Sequence, residues 1–240
     1  RAQGYTHEWC ALEPIRPEGQ GRGFFFIGST NYARVLAPLL QNMHPIYGLN
    51  IFGLQNRAEF KQNFTIEAIA AHYVHEIEAL QPEGPYYLCA YCADTAIVYE
   101  MARVWMKQGK VIGFVAFLDS IWEPNDRYFG LYRHWRNLQS FGFSYLSHKI
   151  SSKLYSIRLS WTLRLNRWLK QLYKKLGKTV SREQQDMSFI SLFYEALHRY
   201  EPTALPGLKV TLFLSQEWRW KYSASLENLT GETVQIYEIA

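Results

Sequence analysis

Cysteine is scarce in this chain. It has three in 240 residues, Cys10, Cys89 and Cys92, an odd number and too few for the disulfide framework of a small secreted domain. A reducing cytoplasm is the expected home. Long apolar runs are also missing: the longest, residues 111–118, is eight residues, against the ~18 that a membrane-spanning helix requires. The chain opens Arg1-Ala2-Gln3, with neither an initiator Met nor a charged and apolar leader, so it carries no secretory signal and reads as cut from something longer. Acidic residues are absent from one long stretch. Residues 127–182 hold thirteen Lys and Arg and no Asp or Glu, which leaves thirteen basic against 21 acidic residues in the remainder. Such a segment expects an acidic counterpart.

What is present argues for one sizeable core. The chain is 48% hydrophobic and 16% aromatic, which excludes disordered and fibrous classes. Residues 1–21, with Pro14, Pro17, Gly19 and Gly21, read as a linker. A strand follows at 23–27, a helix at about 32–43 and a short strand at 45–49. Gly19, Gly21 and Gly23 precede that first strand rather than linking it to a helix, so a dinucleotide-binding loop fails on context. Thr65 caps a helix in which Ile66, Ile69, Ala70, Tyr73, Val74, Ile77 and Leu80 share one face. His72 and His75 flank that stripe, as edge or solvent-facing residues. A strand at 86–90, a helix at about 93–108 stopped by Gly109, and an unbroken apolar strand at 111–118 complete the first half. Strand and helix alternate, which predicts a right-handed βαβ series and an α/β fold with a mostly parallel sheet.

Residues 122–200 break the rhythm. They are helical in pattern, aromatic and basic, with Leu154, Ile157, Trp161, Leu165, Trp168 and Leu172 at helical spacing. Strands resume at 209–214 and 233–239. The expected organisation is a core of residues 22–121 and 201–240 with a helical lid, 122–200, inserted into it. The aromatics of the insertion follow a burial period, which disfavours an exposed stacking platform for nucleic acid. A solvated helix face, a dock for an acidic protein and an anionic membrane surface are the three readings of its charge.

The chemistry concentrates in Ala90-Tyr91-Cys92-Ala93-Asp94. A small reactive residue between a strand and a buried helix is the arrangement written G-x-S-x-G, with small flanks because strand and helix approach closely. Ala90 and Ala93 meet that demand; Asp94 does not. The central atom here is a sulfur. The dipoles of a helix N-terminus favour a thiolate over a thiol whose ordinary pKa is ~8.5, and Asp94 opposes this as a second negative charge. Cys89-Ala90-Tyr91-Cys92 is also a C-x-x-C, the spacing of a redox pair, although Cys89 falls inside the strand. No further soft or imidazole cluster stands at zinc spacing from it, so no metal is expected.

The runs "PIRPEG", "FTIEAIAAHYVHEIEALQPEGPYYL", "AIVYEMARVWMKQGKVIGFVAFLDS" and "RYEPTALPGLKVTLFLSQE" resemble the thioesterase domains of nonribosomal peptide and polyketide synthases. The resemblance implies an α/β-hydrolase fold and release of an acyl chain from the phosphopantetheine arm of an acyl or peptidyl carrier protein, with no other cofactor. It implies Cys92, in place of the usual Ser, as nucleophile and Asp119 as the acid orienting a His. The oxyanion amides fall to Ala93 and Ser29, with Gly28 and Thr30 beside the latter, and the basic insertion matches the family's lid. The family's His lies in the loop after the last strand, a few residues beyond Ala240; none of His7, His44, His72, His75, His134, His148 or His198 holds that position. Cysteine as nucleophile favours cyclisation or transfer over hydrolysis. A non-catalytic module that docks a carrier protein or a membrane is the competing expectation.

Overall fold

The computed structural model describes residues 9–40, 44–120, 182–215 and 225–239, with Ile150, Leu154, Trp161, Leu165 and Trp168 as single helical positions between them. The chain divides into two compact units, residues 1–122 with 196–240, and residues 123–195. The larger unit holds a seven-stranded sheet in the order β1-β3-β2-β4-β5-β6-β7. Its strands are β1 (Leu12–Arg16), β2 (Phe24–Ile27), β3 (Ile46–Leu49), β4 (Tyr86–Tyr91), β5 (Ile112–Leu118), β6 (Thr211–Ser215) and β7 (Gln235–Ile239). Every pairing is parallel except β1 with β3. The helices are α1 (Thr30–Leu36), α2 (Ala58–Gln62), α3 (Ile66–Leu80), α4 (Thr95–Lys107), α5 (Arg182–Arg199) and α6 (Ser225–Thr230).

The stripe at helical spacing builds α3 as expected. The Thr65 side chain accepts a hydrogen bond from the Ala68 amide, and Ile66, Ile69, Ala70, Tyr73, Val74 and Ile77 are buried. On α4, Ile97, Val98, Tyr99, Met101, Ala102 and Trp105 are all inaccessible to solvent, so this helix is packed nearly all round. Trp105 stacks on Tyr86 of β4 with ring centroids 3.9 Å apart, and its Nε1 donates to Glu78 on α3 at 2.9 Å. On the sheet, Phe25, Phe26, Ile27, Leu49, Leu88 and Phe117 are equally closed to water.

Three local expectations are corrected. The stretch read as a linker contains β1, an antiparallel edge strand that tolerates Pro14 because an edge needs only half of its backbone groups paired. The first helix ends at Leu36 rather than near 43, since Pro38 cannot continue it. The apolar strand at 111–118 does lie inside the sheet, but Val111 and Phe114 at its start are exposed and only Val115, Ala116 and Phe117 are buried.

The basic stretch 127–182 and most of the expected lid lie outside the described residues. Of the positions expected on its apolar stripe, Leu154, Trp161, Leu165 and Trp168 are described and each is more than half exposed, as is neighbouring Ile150. Among the described residues no helix is long and apolar enough to cross a membrane.

Candidate active site

The residues singled out by their motif converge because of strand register. Ile27 of β2 pairs with Ala90 of β4, and Tyr91 of β4 pairs with Leu118 of β5. The chain therefore leaves three neighbouring parallel strands side by side, at Gly28 and Ser29, at Cys92 and at Asp119. Neighbouring strands are about 4.8 Å apart, and the carboxyl edge of a parallel sheet is where such folds place ligands.

Cys92 ends β4 in a left-handed conformation, with φ +52°. For a residue bearing a Cβ this is an uncommon conformation, costing about 1–3 kcal/mol, that persists where surroundings impose it. It turns the strand at once into a single 3-10 turn, Cys92–Asp94, which runs on into α4. The turn is tied from within. Buried Thr95 donates its hydroxyl to the Cys92 carbonyl at 2.7 Å, and its Oγ1 lies 2.6 Å from the hydroxyl of buried Ser120. With Thr95 donating to the carbonyl, Ser120 is left to donate to Thr95. The bridge joins the Cys92 turn directly to the residue after Asp119.

Among the described residues, Asp119 is the other non-glycine residue with positive φ, +45°. Its amide donates to Phe213 O at 2.9 Å, and its Oδ1 accepts from the Ser215 amide on β6 at 2.7 Å. One carboxylate oxygen is thus fixed by backbone, which sets the plane of the group. Tyr91 and Tyr32 meet at 4.8 Å between ring centroids beside the turn. The Tyr91 phenol is raised, first by burial and then by Tyr32, Cys92 and Asp119, so the three acidic groups share one neighbourhood with it.

On the oxyanion side, Gly28 has φ +111°, a conformation only glycine takes comfortably. Its amide is committed to Leu49 O at 2.7 Å, which sets it aside as an oxyanion donor. Ser29, the expected donor, is the exposed N-cap residue of α1, and Ala93 sits in the 3-10 turn. Their amides lie near helix starts, where N–H groups lack helical acceptors.

The sequence supplied no reason for Asp94, and the structure does. A Cβ on Gly28 would lie 2.2 Å from Asp94 Oδ2; the carboxyl group fills the space that the missing side chain leaves. Burial raises it to about 7 from its ordinary 3.8. At and below neutral pH a proton occupies this carboxyl in much of the protein, which reduces the charge conflict expected beside Cys92. The stability consequence has a definite sign. The folded chain binds the proton more tightly than the unfolded one, so stability is fully present below about pH 4 and falls as pH rises toward 7. Asp94→Asn removes that dependence. In thermal melts the variant is expected to gain on the wild type steadily from pH 4 to 7 and then hold a constant lead.

Cys89 separates cleanly from Cys92. It is buried on β4 within a cluster of Phe26, Ala33, Ala37, Ile46 and Ala116, and burial pushes its thiol up to about 12. It is a packing residue, not half of a redox pair. Of the described histidines, His44 contacts the Arg22 carbonyl and the Tyr87 ring, His75 is exposed on α3 and His198 is exposed in the last turn of α5, and His72 faces a different cluster described below.

Comparison with known proteins agrees with this geometry. Residues 26–134 match the family model described as the thioesterase domain. Among curated proteins, 125 residues are 29% identical to malpinin synthetase of Mortierella alpina, covering 50% of this chain and 2% of that protein. Over 106 residues the chain is 33% identical to the non-reducing polyketide synthase crz7 of Cladonia metacorallifera, covering 44% of this chain and 5% of that protein. The chain thus spans a twentieth or less of the length of these relatives. Among solved structures, the NocB thioesterase domain from the nocardicin cluster superposes with a TM-score of 0.57 at 17% identity, covering 96% of this chain and 89% of that one. The fold is that of the α/β-hydrolases, and under half of the chain, residues 26–134, is similar in sequence to thioesterase domains.

Proposed function

We propose that this chain releases an acyl or peptidyl group from the phosphopantetheine arm of a carrier protein through a thioester on Cys92. The observation that carries the proposal is the left-handed Cys92 between β4 and α4, beside an Asp119 whose carboxylate is oriented by the Ser215 amide. In the first step the Cys92 sulfur attacks the carrier thioester carbonyl, the carbonyl oxygen becomes an oxyanion facing the amides of Ala93 and Ser29, and the bond to the pantetheine sulfur breaks as that sulfur takes up a proton. The register of Ser215 with Ile239 brings the end of β7 beside the backbone that holds Asp119.

A thiol nucleophile shapes the second step. Thioester is exchanged for thioester, so the acyl group keeps its activation and suits an amine, a hydroxyl or another thiol as acceptor. With an acyl-pantetheine thioester as substrate, added amine is expected to divert most product to amide while water yields the minor acid. Product ratios by mass spectrometry check this; acid alone at saturating amine overturns the transfer reading. A carrier protein is the proposed partner, met by the basic stretch 127–182 as its acidic counterpart.

A further inference from the structure

A second chemical cluster lies apart from the Cys92 turn, where the chain enters β1. Cys10 Sγ is 3.1 Å from His72 Nε2, and the same nitrogen is 3.2 Å from Glu76 Oε1. All three donor atoms lie within 4.8 Å of one another. On the far side of the ring, His72 Nδ1 is 3.3 Å from Glu59 Oε1. Glu76 is buried, Cys10 and His72 are partly buried and Glu59 is exposed. The Phe60 ring stands edge-on to the imidazole at 5.5 Å, and the exposed Arg57 reaches the Cys10 sulfur.

Hydrogen bonds link these groups, since the Cys10 thiol and the His72 ring both address Glu76 and Arg57 addresses the sulfur, and the same spacing of sulfur, imidazole and carboxylate also suits a cation. One nitrogen, Nε2, addresses a sulfur and a carboxylate at once, while Nδ1 addresses another carboxylate. A neutral imidazole has a single N–H for these three partners. A cation at the shared corner answers all of them: it draws on the thiolate, on Nε2 and on Glu76, and leaves Nδ1–H to donate to Glu59. A carboxylate behind a metal-bound imidazole is the usual way its tautomer and ring plane are fixed. Sulfur, imidazole and carboxylate together suit Zn²⁺, with bonds of about 2.0–2.3 Å, and not the all-oxygen preference of Ca²⁺ or Mg²⁺.

We propose that Cys10, His72 and Glu76 bind a zinc-class divalent cation, with Glu59 as the positioning residue behind His72. The site joins the segment entering β1 to α3. Glu76 already begins that join without metal, since its carboxylate accepts from the amides of Cys10, Ala11 and Leu12.

The test uses the full chain carrying Cys92→Ala, freed of metal with a chelator and titrated with Co²⁺. One equivalent is expected to develop a sulfur-to-cobalt charge-transfer band in the near ultraviolet and intense visible bands of a four-coordinate ion, both displaced by Zn²⁺. Cys10→Ser removes the charge-transfer band. Glu59→Gln, an exposed substitution that leaves the fold undisturbed, weakens binding about tenfold or more. Zn²⁺ raises the melting temperature of the parent and not of His72→Gln, with circular dichroism of the metal-free variants confirming that each is folded. Absence of the bands at saturating Co²⁺, or their persistence in Cys10→Ser, overturns the proposal, and neither result touches the reading of Cys92.

Discussion

Cys92→Ala is expected to abolish acyl-enzyme formation and to lower thioester turnover by at least about 10⁴-fold, the scale on which loss of a covalent nucleophile acts. The substitution removes one sulfur and leaves the backbone at φ +52° for alanine to occupy, so the fold should persist with only a small change in melting temperature. Cys92→Ser is the informative companion. A hydroxyl depends on a general base far more than a thiol does, so Ser is expected to run about 10²-fold or more slower. Its oxygen ester intermediate is also less activated, which shifts product from amide toward acid. Turnover within tenfold of wild type in Cys92→Ala would remove the sulfur from the chemistry and leave the chain as a hydrolase-fold module without this catalytic centre.

Trp105→Ala is expected to cost about 3–5 kcal/mol, the range for emptying a fully buried aromatic site. The indole is closed to water and stacks on Tyr86. Such pairs contribute about 0.5–1.5 kcal/mol beyond the area they bury. Glu78 is not stranded by the change, because Lys110 still donates to it at 2.8 Å. The loss is therefore mainly a cavity between α4, α3 and β4. For a unit of this size each kcal/mol moves the melting temperature by about 2–4 °C, so a drop of roughly 6–20 °C should appear in calorimetry. Trp105→Phe, which keeps a ring on Tyr86, should recover most of it. A shift under 2 °C for Trp105→Ala would mean that α4 is not packed as described.

Much of this arrangement is legible in the residue pattern. Period-3.6 burial marks α3 and its Thr65 cap, alternating strand and helix mark the parallel sheet, and the small residues around Cys92 mark the turn. Those signals are local, and each is dictated by one element's own geometry. What the pattern hides is long-range. Leu12–Arg16 carries a proline and reads as linker until β3 is there to pair with it. Asp94 looks like a violation of a small-residue position until Gly28, 66 residues earlier, is seen to vacate the space. Cys10 and His72 are 62 residues apart and match no spacing rule, since the register of β1 against α3 brings them together. Thr95 and Ser120 pass for ordinary polar residues until the pairing of β4 with β5 sets them 2.6 Å apart. The apolar period read over 154–172 misleads at Leu154, Trp161, Leu165 and Trp168 for another reason: spacing shows that a helix has an apolar face, and not that anything covers it.

Peptide mapping after exposure to an acyl-pantetheine thioester tests the central reading most directly. Intact mass should rise by one acyl group, fragmentation should place that group on the peptide containing Cys92, and Cys92→Ala should show no increase. An adduct that maps to Cys10, or one of equal yield in Cys92→Ala, would contradict it.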